Sequence, residues 1–382
     1  MYRIFYAERD ATLYEKYPDQ NTGIDQILEL TKIASGSKLN GVIQGNTYNT
    51  RFLIDFGSEI TTLTSEVSRG NIPPIGNGAN SASVFLKMYA ASANDLLTSY
   101  TINAFPVTES WTNGNGNYSD NPIQKYGASW YYRTSDDTAD GWTTGSAAAS
   151  SGTVQGTTNT DGGGSWYTGS GYQASQSFAN EAPDIRMNVT DIIRQWVSGS
   201  ITNNGFIVKR PYSNEISGQV YGSLKFFGRE THTIYVPRLE VAWDDINNAG
   251  GTNTVTANTY VPYIKNIKSE YRTAEIARFY IGVRPAFPSR TFQTSSFYET
   301  KERLPVSSSY SIIDTITNET IIPFTDKYSN SKTKISNGGD GSYFNLRMDS
   351  FFPERYYKIM LKCERSTDTQ TFDDGFHFKV VK

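Results

Sequence analysis

The sequence predicts an all-β protein composed of two β-sandwich domains. At 382 residues the chain exceeds one ordinary domain, and two or three are expected. Aromatic and β-branched residues fit half-buried strands, and the chain contains 26 Tyr and 20 Phe. The blocks of Ala, Leu, Glu and Lys that form long helices are scarce, whereas 32 glycines and many Asn, Ser and Thr residues supply turns.

The N-terminal part, residues 1–245, is predicted to be a β-sandwich. The segment 25–33 fits a helix or an alternating strand by its apolar spacing, and the closely following Gly36 and Gly41 favour the strand. Other short apolar segments predict strands at residues 2–6, 10–14, 51–56, 84–89, 99–107, 205–209, 224–227 and 239–243.

One short helix is predicted in this part, with Thr190 as its N-cap, Asp191–Val197 as its body and Gly199 as its stop. Its apolar residues share one face, so the helix should lie over an end of the sandwich. These residues are Ile192, Ile193, Trp196 and Val197.

Residues 112–180 form a polar insertion rich in Gly, Ser, Thr and Asn. It is too poor in aliphatic residues to form a core of its own. One interpretation is a long ordered loop that its aromatic side chains pin onto the sandwich or onto a neighbour. The other is a surface that contacts a partner or a glycan, because Trp and Tyr often anchor interfaces. The candidate contact residues are Trp130, Trp142, Trp166, Tyr167 and Tyr172.

A second polar stretch, residues 246–258, is predicted to be a linker because it is Asn- and Thr-rich and contains two adjacent glycines. After it, residues 259–382 resume the strand pattern in the segments 277–285, 310–324, 343–364 and 374–382. The size and the alternation of apolar residues predict an immunoglobulin-like sandwich of roughly seven strands.

The sequence predicts no catalytic, cofactor-binding or metal-binding residues. His232 and His377 lie far apart, and the single cysteine, Cys363, excludes an internal disulfide. No glycine-rich phosphate loop, serine-hydrolase elbow or zinc-protease motif is present. Acidic residues near the tryptophans could form a sugar-cleaving pair, although ordinary polar turns have the same composition. They are Asp136, Asp137, Asp140 and Asp161, and bound Ca²⁺ at the turns 137–141 and 160–164 stays open.

The net charge of −3 is spread along the chain, which predicts neither a nucleic-acid partner nor a membrane partner. The first residues, MYRIFYAERD, lack the apolar core of a signal peptide, and no stretch approaches 18 apolar residues. We therefore expect a soluble protein that is made in a cytoplasm.

Several segments in consistent order resemble DNRLRE-type domains. The helix and the strand after it, VTDIIRQWVSGSITNNGFIVK (189–209), resemble the signature of that family. Two departures are Gly228-Arg229, where a Ser is expected before Glu230, and the long 131–180 insertion. The other similar segments are DATLYEKYPDQNTG (10–23), RFLIDF (51–56), VFLKMYA (84–90), VTESWTNGN (107–115), YGASW (126–130), FFGRE (226–230) and VPRLEVAW (236–243).

The resemblance implies that residues 1–245 form a jelly-roll sandwich without catalytic residues, of the kind found in surface, cell-wall and phage structural proteins. The opening YAERDATLYEKYPDQNTGIDQILEL (6–30) and the tail segments FFPERYYKI (351–359) and FDDGFHFKVVK (372–382) also resemble virion proteins of marine tailed bacteriophages. The expected function is therefore that of a structural virion protein, assembled in the host cytoplasm, in the tail or baseplate. The expected partners are other virion proteins, in a homo-oligomer or in multiple copies in a symmetric assembly. The alternatives are a neck or capsid-exterior protein, an adhesin that binds a host surface glycan and, last, a polysaccharide depolymerase.

Overall fold

The described residues of the chain are folded mainly into β-strands, and three α-helices are found among them. The all-β prediction is confirmed. The structure is a computed structural model that describes residues 1–36, 38–39, 42–43, 45–76, 78, 80–135, 140–143, 146–149, 152–155, 162–248, 254–255, 259–287, 302–325, 332–365 and 368–382.

The chain divides into two compact units. The N-terminal unit contains Phe5–Gly78 and Ala82–Glu240, and the C-terminal unit contains Met1–Ile4, Ala79–Ser81 and Val241–Lys382. The sequence-based bounds of 1–245, 246–258 and 259–382 stay a prediction. Residues 249–253 and 256–258 of the predicted linker lie outside the described residues.

The N-terminal unit is built around two larger sheets. Strands β1 (Tyr2–Tyr6) and β17 (Arg238–Ala242) contain residues of both units. The remaining strands of this unit are β2 (Arg9–Tyr14), β3 (Ile27–Ala34), β4 (Lys38–Leu39), β5 (Val42–Ile43), β6 (Thr47–Asp55), β7 (Ser83–Met88), β8 (Ala90–Asn94), β9 (Ser99–Pro106), β10 (Ser146–Ala149), β11 (Gly152–Gln155), β12 (Trp166–Thr168), β13 (Ala174–Ala179), β14 (Ile185–Asn188), β15 (Phe206–Lys209) and β16 (Gly222–Phe227).

In the described residues, the larger sheet has eight strands in the order β13-β9-β15-β6-β3-β16-β8, with β2 paired to β6. The second sheet has the order β1-β17-β7-β14, and two smaller sheets are β10-β11-β12 and β4-β5. Strand β13 falls within the predicted 112–180 insertion but belongs to the eight-stranded sheet, paired antiparallel to β9. It is a sandwich strand because its apolar residues Ala174 and Phe178 are buried despite its polar composition.

The central strand β6 is buried on both faces, since Phe52, Leu53 and Ile54 are fully buried. Side chains alternate between the two faces of a strand, so Phe52 and Ile54 lie on one face and Leu53 lies on the other. On the face of Phe52 and Ile54, Phe206 packs against Trp196, with 4.6 Å between ring centroids. The opposite side, called the Leu53 face below, carries a row of apolar residues brought into register by four strands: Ala11, Leu53, Ile207 and Phe105.

The predicted helix is confirmed as α2 (Thr190–Val197), and it ends before Gly199, whose φ is +73°. Its N-cap is Val189 and not the predicted Thr190, whose hydroxyl bonds Asn188 and Val84 instead of capping the helix. The prediction of a single short helix is wrong, because α1 (Gly57–Ser68) and α3 (Tyr212–Ile216) are also present. Ile60 and Leu63 of α1 are buried. Among the described residues, none of the helices has the length and the apolar character needed to span a bilayer.

The C-terminal unit is also a two-sheet sandwich. Rings from its two sheets meet in the core: the centroids of Phe279 and Phe378 are 5.9 Å apart, and those of Tyr310 and Phe344 are 4.1 Å apart. Its nine described strands exceed the roughly seven predicted. They are β18 (Tyr260–Ile264), β19 (Glu270–Arg272), β20 (Ile276–Pro285), β21 (Ser309–Asp314), β22 (Thr320–Ile322), β23 (Ser336–Gly338), β24 (Gly341–Arg347), β25 (Arg355–Glu364) and β26 (Thr369–Val381), in the sheets β18-β20-β24-β23 and β19-β26-β25-β21-β22.

Candidate functional site

The three tryptophans predicted as contact residues are buried on the Leu53 face. Trp130, Trp142 and Trp166 are 3%, 4% and 5% exposed. The insertion is thus held onto the sandwich by its aromatic side chains, as the first of the two interpretations predicts. The indoles form one apolar cluster with residues of the sheet and of the insertion: Ala11, Leu13, Leu53, Phe105, Val107, Trp111, Ala128 and Ile207.

The indole N–H group of Trp142 is satisfied inside the protein. The Nε1 of Trp142 donates a hydrogen bond to the carbonyl oxygen of Ser129 at 2.9 Å.

The two predicted tyrosines lie beside each other, because the ring centroids of Tyr167 and Tyr172 are 5.7 Å apart. Tyr167 is partly exposed and Tyr172 is buried. The binding of a partner or glycan by these five residues stays a prediction.

A buried ion cluster lies against the indoles. Glu215 of α3 accepts hydrogen bonds from Nε and Nη2 of Arg51, both at 3.0 Å, and Nζ of Lys209 lies 2.6 Å from its Oε2. The three side chains are at most 5% exposed. The Arg51 guanidinium lies 4.9 Å and 5.1 Å from the ring centroids of Trp130 and Trp166. The cluster therefore joins the sheet, α3 and the insertion.

The pKa values of Glu215 and Lys209 are shifted by burial and by the attraction between the charges of the cluster. Burial alone would raise the pKa of Glu215, but the attraction of Arg51 and Lys209 outweighs it and holds the pKa below its usual value. Burial lowers the pKa of Lys209 to about 8, although Glu215 opposes this shift. Arg51 also donates to the carbonyl oxygen of Gly163 in the insertion. One carboxylate and two indole faces thus hold two buried cations.

A buried amide ties the insertion to the loop after β2. The Nδ2 of Asn21 donates to the carbonyl oxygens of Asn113 and Ala128, both at 2.8 Å, and its Oδ1 accepts from the backbone N–H of Gly116 at 2.8 Å. A Cβ at Gly114, whose φ is +82°, would lie only 2.3 Å from Oδ1 of Asn21. The glycines of this turn therefore allow the close approach of the two segments.

Exposed apolar side chains lie on the two segments that Asn21 joins. The segments are also bonded through their backbones, from Tyr131 N to Pro18 O at 3.0 Å and from Asn21 N to Gln124 O at 2.8 Å. Single exposed apolar residues are ordinary, whereas an exposed apolar patch is a candidate contact surface. This rim patch consists of Tyr17, Ile123, Tyr126 and Tyr131, which are 39%, 44%, 61% and 36% exposed.

A pocket of about 380 Å³ opens beside the same loops, and its walls include Tyr14, Asp25, Glu29, Tyr118 and Lys225. The ring centroids of Tyr14 and Tyr118 are 5.0 Å apart. Both carboxylate oxygens of Asp25 lie 3.2 Å from the backbone N of Tyr118, and Nζ of Lys225 lies 2.6 Å from Oε1 of Glu29. Burial raises the pKa of Asp25 to about 6, against the opposing effect of the Tyr118 N–H.

Of the four acids considered for catalysis, Asp140 alone lies within the described part of the chain. Its carboxylate accepts hydrogen bonds from the hydroxyls of Thr134 and Ser135, which hold its pKa below the usual value. The candidate calcium turns 137–141 and 160–164 lie only partly within the described residues. The other three acids lie outside the described residues: Asp136, Asp137 and Asp161.

The two histidines are both exposed, and His377 lies in β26 as its alternating segment predicts. Within the described ranges, no three His, Cys, Asp or Glu side chains are grouped so that they could hold a metal ion. The absence of catalysis and of a cofactor stays a prediction.

The ion cluster, the Asn21 junction and the pocket were not predicted from the sequence. The sequence does contain a signal for the ion cluster, because Arg51 begins the apolar run RFLIDF and Lys209 ends the run FIVK. Alternation along β6 and β15 places both cations on the Leu53 face. Asn21 and the pocket depend on contacts between segments about a hundred residues apart, for which the sequence offers no local signal.

No family model matches the chain, and neither a curated protein nor a solved structure matches it.

Proposed function

We propose that the chain is a non-enzymatic structural component of a tailed-bacteriophage virion, in its tail or baseplate, and that it works by binding other virion proteins. The resemblance of residues 189–209 and of seven further segments to DNRLRE-type domains supports this proposal. The two β-sandwich units are in keeping with such a component, although many unrelated functions use this fold.

The rim patch is the observation that carries the assembly role. Three of its four members are tyrosines, which offer large contact areas at a low cost in side-chain entropy. The segments that bear them are held by the fully buried Asn21 and by backbone hydrogen bonds. A surface ordered before binding loses less conformational entropy when a partner docks. The patch is therefore a better candidate anchor than the buried indoles.

The proposal is tested by supplying tagged full-length variants during growth of the parent phage and quantifying the chain in gradient-purified particles. The variant Tyr126→Ser/Tyr131→Ser removes two rings of the rim patch. Incorporation should fall about tenfold or more, since truncation of an anchor residue commonly costs at least about 2 kcal/mol. Circular dichroism should show that the variant remains folded.

The matched control is Tyr356→Ser, because Tyr356 of the C-terminal unit is 52% exposed and lies outside the patch. This variant should be incorporated at the wild-type level. Absence of the wild-type chain from purified particles would overturn the virion assignment. Equal incorporation of the double variant and the wild type would overturn the role of the patch. Labelling of the tag by electron microscopy distinguishes the tail and baseplate from the neck and capsid exterior.

A further inference from the structure

The pocket beside the rim patch combines an aromatic wall with paired polar groups. Tyr14 is only 5% exposed and forms a fixed part of the wall, whereas Tyr118 is 47% exposed at the mouth. The planes of the two rings are inclined by 42°, and the ring of Tyr17 stands edge-on to Tyr118 at 6.0 Å. A ligand that enters the pocket therefore meets the face or edge of an aromatic ring.

The polar groups of the pocket are held in place by bonds within the protein. Asp25 is 9% exposed and is oriented by the backbone N–H of Tyr118. Glu29 is oriented by Lys225, at 2.6 Å, and both side chains remain partly exposed, at 20% and 38%. Each carboxylate keeps acceptor capacity beyond these bonds, and the ammonium group has three donors. The pocket thus presents acceptors and a donor at fixed positions beside an aromatic wall.

We propose that this pocket binds one uncharged sugar residue of a surface polysaccharide. The apolar C–H face of a pyranose ring would lie on Tyr118, and its hydroxyl groups would bond Asp25, Glu29 and Lys225. Hydroxyl groups both donate and accept, so they match a site that offers both kinds of partner. The volume of about 380 Å³ lies near the lower end of the range for small-molecule pockets, which suits one ring.

The charges of the pocket favour an uncharged ligand over an anionic one. Two carboxylates face a single ammonium group, which is already paired with Glu29. A phosphate, sulfate or uronate would therefore be repelled by Asp25 and would have to compete with Glu29 for Lys225. This binding activity goes beyond the assembly role and gives the chain a part in contact with the host surface.

The test uses the purified full-length chain and saturation-transfer NMR, followed by titration. The probes are glucose, galactose, mannose and N-acetylglucosamine, each up to 50 mM. At least one should bind with a dissociation constant in the millimolar range, as expected for a single exposed ring site. Glucuronate, tested at the same concentrations, should bind at least about tenfold more weakly.

Two variants locate the binding. Tyr118→Ala removes the exposed aromatic wall and Lys225→Ala removes the donor, and each should weaken binding of the best probe about tenfold. Tyr356→Ala is the matched control, because this ring is 52% exposed and lies outside both the pocket and the rim patch, and the variant should bind like the wild type.

Failure of the wild-type chain to bind any of the four neutral sugars would overturn the inference. Unchanged binding in Tyr118→Ala and Lys225→Ala, or tighter binding of glucuronate, would also overturn it. These outcomes are independent of particle incorporation, so they leave the proposed assembly role to its own experiment.

Discussion

Replacing Glu215 by glutamine should destabilise the N-terminal unit by about 3–5 kcal/mol, the cost of breaking a buried ion pair from one side. Glutamine has nearly the same size, so packing changes little and the loss reports on the charge. In the wild type, the carboxylate receives two hydrogen bonds from Arg51 and lies 2.6 Å from Lys209. In the variant, two buried cations remain within the protein without a carboxylate between them.

Tryptophan fluorescence during urea unfolding measures this loss in the intact chain. Five of the six tryptophans belong to the N-terminal unit, and only Trp243 belongs to the other, so the signal reports mainly on the affected unit. The control is Glu230→Gln, which removes an exposed pair with Arg229 and should change the unfolding free energy by less than about 1 kcal/mol. A loss below about 1 kcal/mol for Glu215→Gln would refute the reasoning.

The difference in unfolding free energy between the wild type and Glu215→Gln should depend on pH in a defined direction. The pKa of Glu215 is lowered by folding, so its carboxylate stabilises the folded state at pH values above the unfolded pKa, which is about 4.3. This contribution is lost as the pH falls through the lowered pKa of the folded state. The gap between wild type and Glu215→Gln should thus be full at pH 7 and should shrink in acid.

Two further substitutions test the core of the N-terminal unit. Burial raises the pKa of Asp10 to about 7, so the folded protein keeps a proton on Asp10 that the unfolded chain releases near pH 4. This proton stabilises the folded state, and its contribution is lost as the pH rises to about 7. Asp10→Asn should therefore lose less stability than the wild type between pH 5 and pH 8 in urea titrations, and parallel losses would contradict this. Trp196→Ala should lower the unfolding free energy by about 3–5 kcal/mol, because the buried ring packs on Phe206. A urea unfolding midpoint equal to that of the wild type, measured by circular dichroism, would show that this contact contributes little to stability.

The strands were predictable because the alternation of their residues matches the burial they adopt. In β25, Tyr357, Ile359, Leu361 and Cys363 are buried in turn. Helix α1 was missed because Ser and Thr make up half of its residues and have low helix propensity. In the structure, Thr62, Thr64 and Ser68 bond their hydroxyls to carbonyls four residues earlier, which satisfies them within the helix. Tertiary burial of Ile60 and Leu63 then stabilises it.

The position of the insertion could be predicted only in part. Its composition indicates a segment that cannot form a core by itself, and in the structure its tryptophans are buried together with residues of the sheet. The complementary signal lies in β6, where a continuous apolar run rather than an alternating one indicates a strand covered on both faces. The segment that covers the second face is set by distant pairings such as that of Arg51 with Gly163, and local sequence patterns do not encode them.

The buried polar contacts give the insertion a defined position that apolar packing alone would specify less sharply. Indoles on an apolar sheet can slide or tilt at little cost, whereas a bidentate guanidinium and a fully bonded amide accept only one geometry. Arg51 and Glu215 act near Gly163, and Asn21 acts near Asn113. Three of the four rim-patch residues and Tyr118 lie on residues 118–131, the segment that Asn21 joins to the loop after β2. We therefore expect Asn21, rather than the ion cluster, to control the geometry of both proposed binding surfaces.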